Sequence, residues 1–398
     1  MTFLRNGGIA SNITKMYLFK IFSGVVFFAP VLMLFKEANG VSQSEIFYLQ
    51  IAFAMSMVLF EVPTGYFADV YGRKASMVAG AILQVVGIIA FSIAYGFWSF
   101  MVVEIVMGFG IALYSGANSA LVYESLKEQN KVLEYTKVWG NMQFYNVMMV
   151  GLSSVIGGVI ADSFGMRYTI YASVPFYFLM VLVAFSFNEP ARIKIELKKG
   201  YGKAFLKKVK AILLEQQSLK WIIVYSGLVL AFNQSVYAMY QDYFTLIELD
   251  LVYFGLVFAS FQVVSAFSSK YAHEAEAFMG KRNILILLPF VVGLSYLLMG
   301  SYLWIWGFLF VFMQQFVRGF RMVVINDYIN KLVESEHRAT ILSVESLFSK
   351  LMLSFMLLLW GLSLEFISLS QTLQLIGLLT LVTGTVIWYF IAIKKVIS

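Results

Sequence analysis

Hydrophobic stretches of about 20 residues recur from one end of this chain to the other, and a helix of that length crosses the ~30 Å hydrocarbon core of a bilayer. Strands of a membrane barrel would alternate apolar and polar residues, and the sequence shows no such alternation. The sequence therefore predicts an all-α integral membrane protein with twelve transmembrane helices, at about 16–36, 45–64, 75–95, 98–123, 138–160, 168–188, 218–243, 251–270, 284–303, 305–329, 339–361 and 371–393.

Composition and residue types exclude several other classes. Only 13% of the 398 residues are charged and 60% are hydrophobic, whereas a soluble domain has about 25% charged residues. The first hydrophobic stretch contains Lys20 and is not followed by a small-residue cleavage site, so a retained helix is expected there. The chain contains no cysteine, which excludes disulfides and thiolate metal sites. We expect no metal site.

Basic residues lie mainly on one set of connections between the predicted helices. That set contains 23 lysines and arginines, and the alternate connections contain only Lys36 and Arg167. Because short cytoplasmic loops are enriched in basic residues, both termini are predicted to be cytoplasmic. The net charge of +7 thus reflects topology. No basic stripe interleaved with aromatic residues indicates a nucleic-acid partner, so none is expected.

One long polar stretch divides the helices into two groups of six. We predict a first bundle at 1–188, a cytoplasmic connection with an amphipathic helix at 189–217, and a second bundle at 218–398. The GRK sequence at 72–74 has a counterpart in GKR at 280–282, about 208 residues later. Such a repeat indicates a duplicated unit and two pseudo-symmetric six-helix bundles, with a ligand site near the midplane.

A short polar turn separates predicted helices two and three. Its residues, Gly65-x-x-x-Asp69-x-x-Gly72-Arg73-Lys74, resemble the signature loop of the major facilitator superfamily. The resemblance implies a transporter that works by alternating access, with this loop latching the cytoplasmic side and with Glu124 as a partner of Arg73. Gly65 and Gly72 are expected to let the backbone turn tightly.

Within that superfamily, FEVPTGYFADVYGRK followed by LYSGANSALVYESL is similar to bacterial exporters of drugs or metabolites. The resemblance implies proton-coupled export across the bacterial cytoplasmic membrane, by a chain expected to function as a monomer. Two departures stand out. Glu104 occupies a position where many proton-coupled exporters have arginine, and Ser153 and Ser154 replace a Gly-Pro element that antiporters tend to have.

Ionisable and polar side chains inside the predicted spans are the candidates for substrate binding, because a charge at this depth costs roughly 3 kcal/mol or more. On an ideal helix ten, Gln314, Arg318 and Arg321 fall on one face. An excess of bases favours a small organic anion or zwitterion. The candidates are Arg318, Arg321 and Gln314 on helix ten, Lys350 on helix eleven, and Asn233, Tyr237, Tyr240 and Gln241 on helix seven. The tyrosines could equally be packing residues.

The energy source is expected to be an ion gradient. No GxxxxGK[ST] loop for ATP phosphates is present, so no cofactor is expected. Three carboxylates, Glu104, Glu61 and Glu345, are candidates for carrying a proton, and Glu104 could instead form a static ion pair with a base of the cavity. Import or facilitated transport of a small molecule is the alternative to export. A membrane sensor is a third possibility, and no catalytic constellation indicates an enzyme.

Overall fold

The computed structural model describes residues 8–190, 217–332 and 338–393. Within these ranges every regular element is helical, which confirms the predicted all-α class. Nearly all of the central connection predicted at 189–217 lies outside the described residues, so the amphipathic helix there stays a prediction. The chain divides into two compact units, one comprising Met1–Glu196 with Asp250–Ala259 and the other Leu197–Leu249 with Ser260–Ser398. The exact boundaries of the two predicted bundles stay a prediction as well.

The helices before the central connection follow the predicted spans closely. They are α1 (Ser11–Ser23), α2 (Leu32–Ala38), α3 (Gln43–Tyr71), α4 (Arg73–Ile93), α5 (Gly96–Glu128), α6 (Tyr135–Phe164) and α7 (Met166–Ser186), with 3₁₀ turns at Ala29–Val31 and Val132–Glu134.

The helices after it are α8 (Gln217–Ser235), α9 (Tyr240–Leu246), α10 (Leu251–Lys270), α11 (Ala272–Met279), α12 (Lys281–Ser301), α13 (Phe308–Leu332), α14 (Arg338–Phe366) and α15 (Leu369–Ile393), with 3₁₀ segments at Val236–Met239 and Ile305–Gly307. In the described ranges, 11 helical segments are long and apolar enough to cross a membrane. The first predicted crossing is divided between α1 and α2, which explains why it is not a twelfth continuous helix.

The first membrane segment of each predicted half is interrupted at the same place. A 3₁₀ turn begins at Ala29 between α1 and α2, and another begins at Val236 between α8 and α9. The separation of these two turns is close to the offset of the sequence repeat, so the interruption is a shared feature of the two copies. A 3₁₀ stretch inside a helix often marks a hinge.

Serine side chains satisfy the backbone where the first segment unwinds. The N–H of Val26 donates to Ser153 Oγ at 3.1 Å, and the N–H of Phe27 donates to Ser173 Oγ at 3.2 Å. The Ser153 hydroxyl can in turn donate to the Gly24 carbonyl, 3.2 Å away. Unwound backbone at membrane depth requires partners of this kind. Ser153 therefore has a structural task that the Gly-Pro element could not perform.

Close backbone contact also fixes α6 against this unwound segment. A Cβ atom added to Gly157 would lie 1.9 Å from the Phe27 carbonyl oxygen, a distance no side chain tolerates. Glycine at this position lets the two backbones approach directly, as small residues do in other membrane helix pairs. Gly157 is thus a packing residue.

We expect Ser153→Ala to destabilise the folded protein by about 1–3 kcal/mol, because it leaves the buried N–H of Val26 without its partner. Ser154→Ala is the matched control, since among the described residues the Ser154 hydroxyl donates to the Val150 carbonyl of its own helix, at 2.7 Å. Thermal unfolding of the purified proteins in detergent measures the difference. Equal unfolding temperatures for the two variants would contradict this account.

Candidate functional site

Arg318 lies inside the membrane segment formed by α13 and is held by neutral groups. Its guanidinium donates to the side-chain oxygen of Gln262 on α10 at 3.0 Å and to that of Gln315 at 3.1 Å. Among the described residues, it forms no ion pair within 4 Å. Arg318 also lies close enough to Tyr237 and Tyr240 to act on them electrostatically. The positive charge is therefore oriented by amides and is not neutralised by them.

Arg321 is paired with an acid. Its guanidinium lies 3.0 Å from Glu345 Oε1 of α14, and both side chains are largely buried. Ser226 of α8 donates to the same carboxylate oxygen, and Ser349 donates to it at 3.0 Å. The cluster of Arg321, Glu345, Ser226 and Ser349 thus joins α8, α13 and α14.

The prediction that Gln314, Arg318 and Arg321 form one face is wrong for their side chains. Gln314 is fully buried and bonds to Ser295 of α12, whereas Arg318 reaches α10 and Arg321 reaches α8 and α14. On a helix the three residues lie at similar angles around the axis, as predicted. Their long side chains nevertheless extend to different neighbouring helices. Only packing decides which neighbour each side chain reaches.

Three of the substrate residues predicted on the seventh membrane helix, which corresponds to α8 and α9, lie in the interior of their unit. Asn233, Tyr240 and Gln241 are at most 5% exposed. Tyr240 donates to the side-chain oxygen of Gln314, and Asn233 donates to the Gln314 carbonyl at 2.8 Å. Asn233, Tyr240 and Gln314 thus form a supporting network next to Arg318. The prediction assumed a continuous helix, and the 3₁₀ turn at Val236–Met239 changes the directions of the side chains.

Two predicted substrate residues are partly accessible within their unit. Tyr237 is half-buried, with its ring 5.4 Å from that of Tyr240. Lys350 is half-buried on α14, directly after Ser349 of the acid cluster. Together with Arg318 they are the predicted residues whose exposure suits ligand contact.

Glu104 forms the ion pair considered from the sequence, but with a different base. Its carboxylate lies 2.5 Å from the ammonium group of Lys36, which is only 1% exposed. Lys36 was predicted to lie on a connection outside the membrane helices, and the structure places it in α2. The ammonium group is also 5.9 Å from the ring of Phe91. Glu104 therefore joins α2 to α5.

Glu61, the second predicted proton carrier, lies on an exposed part of α3. An acid at this depth faces water or a polar partner in preference to lipid. Its position is therefore compatible with proton exchange.

The signature loop has the predicted ion pair between Arg73 and Glu124 and a second one between Arg73 and Asp69. Arg73 lies 2.7 Å from Asp69 and 3.3 Å from Glu124, which is near the end of α5. Gly72 adopts a φ of 116° between α3 and α4, so the expected turn is present there. Gly65 lies inside α3, and a Cβ atom on it would meet nothing within 4 Å, so the tight turn expected at Gly65 is wrong.

Sequence reasoning missed several partners in these sites. Glu189 contacts the backbone at the start of α4, beside Lys74, and Gln262 orients Arg318. A single glutamate or glutamine at the end or in the middle of an apolar stretch forms no sequence pattern from which its role could be predicted. Their roles depend on which helices become neighbours.

Comparison with known proteins identifies the family. The model of the Major Facilitator Superfamily matches residues 16–274. The chain belongs to this superfamily. It is a multi-pass membrane protein with the superfamily's transporter fold, as its apolar helices and sequence indicate.

Individual relatives are distant and partial. An uncharacterized MFS-type transporter of Methanocaldococcus jannaschii is 23% identical over 174 residues, 43% of this chain and 42% of the relative. The quinolone resistance protein NorA of Staphylococcus aureus is 25% identical over 232 residues, 57% of each protein. The alignments thus span about half the length of these relatives.

Solved structures share the fold over almost the whole chain. The nucleoside transporter NupG superposes with a TM-score of 0.72 at 12% identity, covering 96% of this chain and 98% of that one. A D-xylose-proton symporter superposes with a TM-score of 0.70 at 16% identity, covering 95% and 96%. At such identities the likeness concerns the fold alone.

We expect Glu104→Gln to destabilise the protein by about 3–5 kcal/mol, because it leaves the buried Lys36 ammonium without a counter-charge. The double variant Lys36→Met with Glu104→Leu removes both charges and is expected to recover most of that loss. Thermal unfolding of the single and double variants gives the coupling between the two positions. A double variant as unstable as Glu104→Gln would show that the pair is not the cause.

Proposed function

We propose that this protein is a secondary active transporter that exports a small organic anion or zwitterion with an apolar body, by alternating access and with coupling to a proton gradient. The observation that carries the proposal is Arg318, a cation at membrane depth whose described partners are two neutral amides. Import or facilitated transport of a small metabolite is the alternative that the experiments below distinguish.

The substrate class follows from the unused capacity of Arg318. A guanidinium has five N–H donors in a planar fork, and the amide oxygens of Gln262 and Gln315 engage two of its nitrogens. A carboxylate or phosphate that met the remaining donors would compensate the charge and form charge-assisted bonds. Tyr237 and the aromatic residues around it supply apolar surface for the body of such a ligand. Lys350 offers a second positive charge.

For an anionic substrate, the membrane potential favours export. The interior of a cell is electrically negative, and moving one charge through 100 mV corresponds to about 2.3 kcal/mol. The membrane potential therefore drives an anion outward even without a chemical gradient. Import of the same anion would have to work against the membrane potential. NorA, whose name describes quinolone resistance, is a relative consistent with efflux.

We propose Glu345 as the coupling acid in place of Glu104. Protonation of Glu345 would remove the counter-charge of Arg321, which lies one helical turn from Arg318 on α13. A proton on Glu345 would thus change the field at the anion site. Glu104, in contrast, is tied to Lys36 in a pair that supports the fold. Glu61 is the second candidate.

The proposed location is the cytoplasmic membrane of a bacterium, with both termini on the cytoplasmic side. The asymmetric distribution of lysine and arginine supports this orientation. The two basic residues on the opposite side are engaged in the fold, since Lys36 pairs with Glu104, and Arg167 bonds to Asn39 and to the Ser92 carbonyl. We further propose that one chain suffices for transport.

We expect Arg318→Gln to lower the transport rate at low substrate concentration about tenfold or more, because bonds to charged groups contribute about 1.5–3 kcal/mol. Arg318→Lys should retain part of the rate. The measurement is uptake into inverted vesicles of aromatic carboxylates, a fluorescent quinolone and lipophilic cations, with a lumen-positive potential and with or without a proton gradient.

Arg282→Gln is the control, since Arg282 is exposed and stacks on Trp388 at 5.1 Å. Unchanged transport of every anion and zwitterion in Arg318→Gln would contradict the proposed substrate class. Uptake only in right-side-out vesicles would establish import instead.

We expect Glu345→Gln to abolish accumulation driven by a proton gradient while exchange of labelled for unlabelled substrate continues, because a glutamine neither gains nor loses a proton. Glu274→Gln on α11, which removes an exposed acid, is the control. Both modes are measured in the same vesicle preparation. Proton-driven accumulation at the normal level in Glu345→Gln would assign the coupling elsewhere, with Glu61 next to be tested.

A further inference from the structure

The first turn of α4 receives a carboxylate from a distant part of the sequence. Glu189 accepts the backbone N–H of Arg73 at 2.8 Å and that of Lys74 at 2.7 Å. The first N–H groups of any helix lack partners within the helix. A negative charge at this end is also favoured by the helix dipole. Glu189 thus lies at the centre of the signature loop, although it follows α7.

Gly72 leaves room for this carboxylate. A Cβ atom at Gly72 would lie 2.8 Å from the carboxylate atoms of Glu189. The residue also has a φ of 116°, which favours glycine. The φ angle therefore favours glycine, and a larger residue would also displace the Glu189 carboxylate, which the sequence did not suggest.

The signature arginine is held through both its side chain and its backbone. Asp69 and Glu124 engage the guanidinium, and Glu189 engages the backbone N–H. Removing Glu189 would leave the side-chain ion pairs in place but release the start of α4. The two kinds of contact can therefore be separated by mutation.

The segment that contains Glu189 is itself fixed by α1. The N–H of Asn188 donates to the Asn12 side chain at 2.9 Å, and Asn12 donates to the Asn188 carbonyl at 2.8 Å. Lys15 donates to the Ser186 carbonyl at 2.6 Å. These bonds to α1 therefore fix the backbone from which the Glu189 side chain reaches α4.

The second copy of the repeat has the same turn, and the part of it that the structure describes shows no carboxylate there. Gly280 precedes α12 as Gly72 precedes α4, and its φ is 79°. A Cβ atom on Gly280 would meet nothing within 4 Å in the described part of the chain. The turn is thus retained in both copies, and among the described residues a carboxylate contact is present at the first one.

We propose that Glu189 is a positioning residue that fixes the signature loop to the end of α7, so that the start of the central connection and the cytoplasmic latch move together. The consequence for turnover rests on the proposed transport function. The contact itself does not, and the experiment treats the two separately.

The test compares Glu189→Ala and Glu189→Gln with Glu134→Ala as the matched control. Glu134 directly precedes α6 as an exposed glutamate but makes no cap hydrogen bond. Hydrogen exchange of residues 70–77 is measured in lipid nanodiscs without substrate. The amides of Arg73 and Lys74 are expected to exchange at least tenfold faster in Glu189→Ala, at an intermediate rate in Glu189→Gln, and at the normal rate in Glu134→Ala.

A second readout detects positioning. Because the chain has no cysteine, Tyr71→Cys introduces a single reporter at an exposed residue of the loop. Its labelling by an impermeant maleimide, and the maximal rate for any compound transported in the vesicle assay, are expected to change severalfold in Glu189→Ala but not in Glu134→Ala.

Unchanged amide protection in Glu189→Ala would overturn the proposal. Faster exchange with unaltered labelling and turnover would reduce Glu189 to a simple helix cap and also overturn it. If no compound is transported but exchange and labelling respond as expected, the proposed function fails and the positioning role stands.

Discussion

Backbone N–H and C=O groups in hydrocarbon must find partners within the protein, because no water is present to replace them and each unpaired group costs several kcal/mol. This constraint imposes helices, and it also governs their interruptions. Where the first segment unwinds, Ser153 and Ser173 supply the missing bonds. Where Pro289 in α12 frees the Leu285 carbonyl, the Tyr225 hydroxyl donates to it at 2.8 Å.

The cost of burying an unpaired polar group also determines how the charged side chains are paired. Lys36 with Glu104 and Arg321 with Glu345 are compensated within their own units. Among the described residues, Arg318 has amides as partners, which satisfy donors without cancelling charge. A protein rarely retains an uncompensated cation at this depth for stability alone. This contrast, more than the number of bases, supports an anion site at Arg318.

Sequence predicted those features that depend on local spacing. Hydropathy located the membrane segments, and the glycine before Arg73 marked the turn between α3 and α4. Apart from Arg73 with Glu124, which the family resemblance implied, it did not predict contacts between distant segments, such as Lys36 with Glu104 or Glu189 with α4. Those contacts depend on helix neighbours and on interruptions near 24–31 and 236–239. A prediction that treats each span as an ideal helix of 100° per residue includes neither the neighbouring helices nor the interruptions.

The two copies of the repeat solve the same problem with different chemistry. Each connects its interrupted first segment to its fourth membrane helix, by Lys36 and Glu104 in the first copy and by Tyr240 and Gln314 in the second. The contact in the first copy is an ion pair, which requires a lysine, whereas the contact in the second copy is a hydrogen bond between neutral side chains. The second copy therefore fixes its interrupted segment to the fourth membrane helix without using a charge.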